Sequence, residues 1–218
     1  MTRISGEAPL WEMREPVESD FTHVMEIEKN LKGPPEFQGK TKKSKVAFDG
    51  KLSNTADFVW YHGGTDAIIS EKIADTIRRK FPCIDFEDVE IVTKRGKPYQ
   101  KFEKSDHCFK RITIKHYLAM DWLLTTYREE DGVKSIYGFE SRDFPNELRN
   151  GEPVIEKIPR VPGQGMYVRH ENLLGCNFFG IRDRQPFYFC TDGFKGFIED
   201  NGFTNVEFRE MGGIVQIQ

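Results

Sequence analysis

The chain has few cysteines, no long apolar run and no excess of either charge. Its four cysteines, Cys83, Cys108, Cys176 and Cys190, are widely spread with no C-x-x-C pair among 218 residues. That spacing builds neither a zinc ribbon nor a dithiol redox motif, and free thiols in a reducing compartment are expected. No stretch approaches the length of a membrane span, and the opening Met1-Thr2-Arg3-Ile4-Ser5-Gly6-Glu7 lacks the apolar centre of a signal peptide. A cytoplasmic protein with no membrane partner is therefore expected. The formal net charge is −3, without a large block of one sign, which argues against nucleic acid as a partner. The densest basic run, Lys40-Thr41-Lys42-Lys43-Ser44-Lys45 beside Pro34-Pro35, reads as a solvated loop, because no stacking aromatics or basic helix accompany it.

Catalytic motifs are equally scarce. His62-Gly63-Gly64 follows an apolar strand as an oxyanion turn would, but no G-x-S-x-G nucleophile turn accompanies it. Asp106-His107-Cys108 sets a thiol beside an imidazole, yet neighbours on a strand point to opposite faces. Cys176 with His170 is the other Cys/His pair. The five histidines, His23, His62, His107, His116 and His170, lie in different segments with no H-x-x-x-H, so a converging metal site is not expected. Gly163-Gln164-Gly165 lacks the glycine and lysine that complete a phosphate loop. The sequence nominates no catalytic, cofactor-binding or metal-binding residue, implies no cofactor, and leaves partner-binding residues unassigned.

What is present is a scaffold. Hydrophobic residues make up 38% and charged residues 31%, with 18 Phe, as in a globular protein whose core is rich in rings. A strand–cap–helix–strand module occurs twice, near 58–89 and 185–209. In the first, Phe58-Val59-Trp60-Tyr61 leads to Ser70, whose hydroxyl is placed to cap a helix carrying Ile73, Ala74 and Ile77 on one face and Arg78-Arg79-Lys80 at its far end. Pro82 stops it. Strand residues Phe86, Val89, Ile91 and Tyr99 then suggest a hairpin turning at Lys94-Arg95-Gly96-Lys97. In the second, Phe187-Tyr188-Phe189-Cys190 precedes Thr191 as cap, a helix burying Phe194, Phe197 and Ile198, a stop at Asn201-Gly202, and a strand at Val206-Glu207-Phe208.

Elsewhere, short strands are expected at 10–13, 22–27, 111–115, 135–139 and 153–158, and a strand running into a short helix over 166–174. Residues 1–50 read as an irregular amino-terminal segment. No linker is clean, so a single α+β domain over 1–218 is expected, with a mixed or antiparallel sheet and a few short helices.

The two modules carry a resemblance. Phe58 to Gly64 followed by Ile68-Ile69-Ser70-Glu71-Lys72-Ile73 resembles the amino-terminal signature of a bacterial immunity protein family of polymorphic toxin systems, the immunity protein eleven type, formerly a domain of unknown function. Phe187 to Phe208 resembles its carboxy-terminal signature, with Thr191 where serine is commoner and Asn205 where a glycine stands. Asn tolerates positive φ, so the turn survives. The resemblance spans about residues 57–209 and is concentrated at the two ends. It implies a non-enzymatic protein that binds and neutralises a cognate toxin domain in the cytoplasm. Two other readings stand beside it: a small hydrolase or transferase with a Cys/His site, and a structural adaptor of a secretion system.

Overall fold

A computed structural model describes residues 4–17, 21–28, 44–49, 56–62, 66–95, 108–143, 148–149, 152–153 and 156–217. Strands dominate, and the two α-helices among the described residues are short, so the class is α+β as expected. Strand β1 (Ile4–Arg14) is followed by β2 (His23–Glu28), β3 (Ser44–Asp49), β4 (Phe58–Trp60), β5 (Ala67–Ser70), helix α1 (Glu71–Lys80), β6 (Ile84–Ile91) and β7 (Phe109–Ile114). Next come β8 (Tyr117–Leu118), β9 (Tyr127–Glu130), β10 (Val133–Ile136), β11 (Ser141–Asp143), β12 (Leu148–Arg149), β13 (Glu152–Pro153) and β14 (Glu156–Ile158). The chain finishes with β15 (Met166–Arg169), β16 (Phe178–Ile181), β17 (Tyr188–Cys190), α2 (Asp192–Asp200) and β18 (Glu207–Ile217).

Where one domain is expected, the contacts group into two compact units. One takes its described residues from 14–115 and 201–207, the other from 1–13, 116–200 and 208–218. Both units are discontinuous, because the chain passes from one to the other after 13, 115, 200 and 207. No long polar linker is needed for such short crossings, which is why the sequence shows none.

The first unit is a six-stranded sheet in the order β2-β3-β6-β7-β5-β4. Its edge strands meet: Tyr61 bridges Val24 in parallel, and the His62 N–H donates to the Val24 carbonyl at 3.1 Å, so the sheet closes on itself. Alternation along the strands sends Val24, Val46, Val59, Tyr61, Ile68, Val89 and Phe109 into one buried cluster. Helix α1 packs against β5, β6 and β7, burying Ile73, Ala74 and Ile77, and the Ser70 hydroxyl accepts from the Ile73 N–H at 3.4 Å. The strand that pairs antiparallel with β6 is Phe109–Ile114, Ile84 with Ile114 and Asp88 with Lys110, so the connection is longer than the expected turn at 94–97. Tyr99 lies outside the described residues.

The second unit has a sheet ordered β15-β18-β1-β17-β16-β8. Helix α2 covers one face, with Phe194 5.0 Å from Phe178 between ring centroids. The other side of the core gathers Leu118, Met120, Met166, Val168, Phe179 and Ile181, with Trp122, Ile136 and Phe139 packed against them. The expectation of an irregular amino terminus is corrected here: β1 is an eleven-residue strand pairing Trp11 with Cys190 and Met13 with Tyr188. Likewise Ser44 and Lys45, expected in a loop, belong to β3; residues 40–43 lie outside the described set.

The repeat goes deeper than the two modules. In the closed sheet, β3 pairs parallel with β6, β6 antiparallel with β7, β7 antiparallel with β5, and β5 antiparallel with β4. In the open sheet, β15 pairs parallel with β18, β1 antiparallel with β17, and β17 antiparallel with β16. The Ser5 hydroxyl donates to the Gln216 carbonyl and Arg209 to Glu12, so β1 and β18 also run in opposite directions. The order β3-β6-β7-β5-β4 thus equals β15-β18-β1-β17-β16, with α1 and α2 in equivalent crossovers. Only the middle strand differs in origin: β7 follows its module, whereas β1 comes from the start of the chain.

Candidate functional site

The residues weighed for chemistry are dispersed by the fold. Cys108 is exposed and free, while Cys190 is fully buried and free, its thiol pushed up by burial. Cys83 and Cys176 are not free thiols, which corrects the expectation of four free cysteines. Cys176 is buried and His170 exposed, so that pair offers no free nucleophile. His107, Gly63 and Gly64 lie outside the described residues. Among the described residues, no three His, Cys, Asp or Glu side chains converge as metal ligands. Gly163-Gln164-Gly165 forms a turn whose Gly165 N–H already donates to the Thr126 hydroxyl at 2.8 Å. Ser70 acts as a cap, and the Thr191 hydroxyl donates to Asn177 Oδ1 at 2.7 Å while its carbonyl accepts the first N–H groups of α2.

Two charged clusters have local structural work. At the seam of the closed sheet, Arg111 is held by Asp66 and by Glu26 at 3.2 Å, and its guanidinium lies 5.1 Å from the Tyr61 ring centroid. Burial works against the Arg111 charge, but the neighbouring Asp66 and Glu26 carboxylates outweigh it and hold the guanidinium protonated. Outside the same seam, the His23 and His62 rings stack at 5.1 Å, His62 meeting Asp49 at 2.8 Å and His23 meeting Glu15 at 2.6 Å. Hydrogen bonds from Lys94 and His62 lower the Asp49 carboxyl below its ordinary range. Sequence reasoning missed both groups, because their members are up to 85 positions apart.

Among the described residues, the stretch between β8 and β15 has no counterpart in the other unit. Its inward side chains are the Trp122, Ile136 and Phe139 of the core. Its outward ones include Leu123 at 88% exposure and Val133 at 64%, with Tyr137, Ile158 and Val161 also exposed. A network of polar contacts holds this surface in place. Asp121 is buried, accepts from the Leu123 N–H at 3.0 Å and pairs with Arg169 at 2.7 Å. Arg160 donates to Glu210 and Glu7, both at 2.7 Å, and to the Gln164 carbonyl at 2.8 Å. Lys157 pairs with the buried Glu140 at 3.1 Å.

No protein-family model and no curated protein matches the chain. Among the described residues, no helix is long and apolar enough to cross a membrane.

Proposed function

We propose that the protein is an immunity protein that binds a cognate bacterial toxin domain in the cytoplasm and neutralises it. The observation that carries this reading is the 119–165 stretch. It stands outside the five-strand order that the two sheets share, and it turns Leu123, Val133, Tyr137, Ile158 and Val161 outward on a polar-anchored frame. The two signatures that resemble the immunity family overlap in the repeat at β5–α1 and β17–α2, the first reaching back to β4 and the second on to β18. In this reading the duplicated modules are scaffold, and the unlike stretch supplies the contacts. A central apolar cluster with a charged rim gives affinity by burial and raises the association rate by electrostatic steering.

Co-expression tests it. The partner to use is a toxin domain encoded by the adjoining reading frame. The expected outcome is copurification of the two proteins and restored growth of cells expressing the toxin. Failure of both ends this reading. Replacing Leu123 and Val133 together by Asp is expected to weaken copurification by at least about tenfold, in line with the loss of a central apolar contact.

A further inference from the structure

The hairpin β9–β10 holds a cation in an unusual way. Its turn is Asp131-Gly132, both with positive φ (51° and 76°), which sets Glu130 opposite Val133 and Glu129 opposite Lys134. On the face carrying Tyr127, Glu129, Lys134 and Ile136, the Lys134 ammonium sits 4.5 Å from the Tyr127 ring centroid and 4.8 Å from that of Trp122. The two rings stand edge to face at 89° and 5.4 Å, forming two walls of a corner. Trp122 is fixed from behind by packing on the core of its unit. Ring faces attract ammonium groups through their quadrupole, most strongly where water is partly excluded.

The choice Lys134 makes is informative. Glu129 is its cross-strand partner, yet among the described residues Glu129, Glu130 and Asp131 form no ion pair, while the ammonium lies on the rings. Arg128, the hairpin's other cation, likewise lies over a ring, that of Tyr137, at 5.2 Å. The corner therefore holds an ammonium in the presence of a competing carboxylate, Glu129 on the same face, while the exposed Glu130 and Asp131 add negative charge at the end of the hairpin.

We propose that Trp122 and Tyr127 form a two-walled ammonium site that takes a lysine side chain of a protein partner, with Lys134 as its resident occupant. Displacement of Lys134 is compensated in part, because the freed ammonium has Glu129 directly across the hairpin to pair with. The incoming lysine gains both ring faces, and the exposed carboxylates favour a cationic partner over an anionic one. The source of that lysine, a protein, rests on the binding function proposed above; the chemistry of the corner does not.

Titration with a blocked lysine, N-acetyl-lysine methylamide, tests the site directly, read at the Trp122 indole N–H by NMR. In Lys134→Ala the corner is vacant, and half-saturation is expected at a concentration at least about tenfold lower than in the unsubstituted protein, where the tethered Lys134 competes at high effective concentration. Adding Tyr127→Leu to Lys134→Ala is expected to abolish the shift. Blocked norleucine, which keeps the stem and lacks the charge, is expected to leave the indole resonance in place. The proposal is overturned if folded Lys134→Ala shows no shift with blocked lysine, or if norleucine shifts the resonance equally. Should Lys134→Ala lose the hairpin, Lys134→Gln serves in the same titration, with the same outcomes deciding. Success here with failed growth rescue would dismiss the toxin partner and keep the ammonium site; the reverse would keep the partner and dismiss the site.

Discussion

At the scale of single residues, Asn205 shows how much one side chain can hold. It sits at φ 60°, the left-handed region, and is buried. Its Nδ2 donates to the Phe58 carbonyl at 2.9 Å, and its own carbonyl accepts from Trp60 Nε1 at 2.6 Å. The positive φ is what the sequence pattern anticipates for a position where a glycine is otherwise found. The hydrogen bond to β4 is not, because nothing in the local sequence links 205 to 58. Two variants separate these roles. Asn205→Gly keeps the backbone conformation and loses the side-chain bond, at an expected cost of about 1–2 kcal/mol. Asn205→Ala loses both, at an expected cost of about 2–3 kcal/mol. Denaturant unfolding followed by tryptophan fluorescence reads the order, and an Ala variant no less stable than the Gly variant contradicts the backbone role.

At the scale of elements, the helices were legible and the sheet closure was not. The Ser70 cap, the Ile73–Ala74–Ile77 face and the basic last turn of α1 all follow from spacing within ten residues. The β9–β10 hairpin was legible only as a turn signal at Asp131-Gly132, since its first strand, Tyr127–Glu130, has no apolar alternation. Closure of the β2–β4 seam instead depends on partners contributed by β2, by β7 and by the connection from β4 to β5. Arg111 is the residue that spans it, reaching Glu26 from one side and Asp66 from the other. Replacing it by Leu removes the cation that the partly buried Glu26 and Asp66 carboxylates share. The expected loss is about 2–4 kcal/mol. Adding Asp66→Asn should recover part of it, since one uncompensated charge is then gone. The measurement is a double-mutant cycle of unfolding free energies; strict additivity would mean that Arg111 and Asp66 act separately.

At the scale of the whole molecule, the two sheets share the order of five strands, and within those five only the middle strand is drawn from different places in the chain. This makes the first strand indispensable: β1 lies between β17 and β18. Deleting residues 1–13 is expected to abolish the native far-ultraviolet and NMR signature of the 116–200 and 208–217 residues while those of 14–115 persist. Moving the same residues to follow β18 through a short turn, as β7 follows β6, is expected to restore the fold. Such a permutant should unfold within about 1 kcal/mol of the parent, because Ser5 and Gln216 are already hydrogen-bonded neighbours. A permutant that fails to fold, or a deletion that leaves the second sheet intact, contradicts the shared order.

Sequence by itself determined what is local: two short helices with one apolar face each, the Ser70 cap of the first, the asparagine–glycine stop of the second, the aspartate–glycine turn, and the strand-rich α+β class. These depend on periodicity and on the conformational limits of single residues, which are written within a few positions of one another. Tertiary structure decided what depends on distant partners. It placed the amino-terminal strand inside the second sheet and closed the first sheet through Tyr61 and Val24. It also turned Lys134 onto Trp122 and Tyr127, since register and strand order bring together residues whose separation along the chain carries no periodic signal.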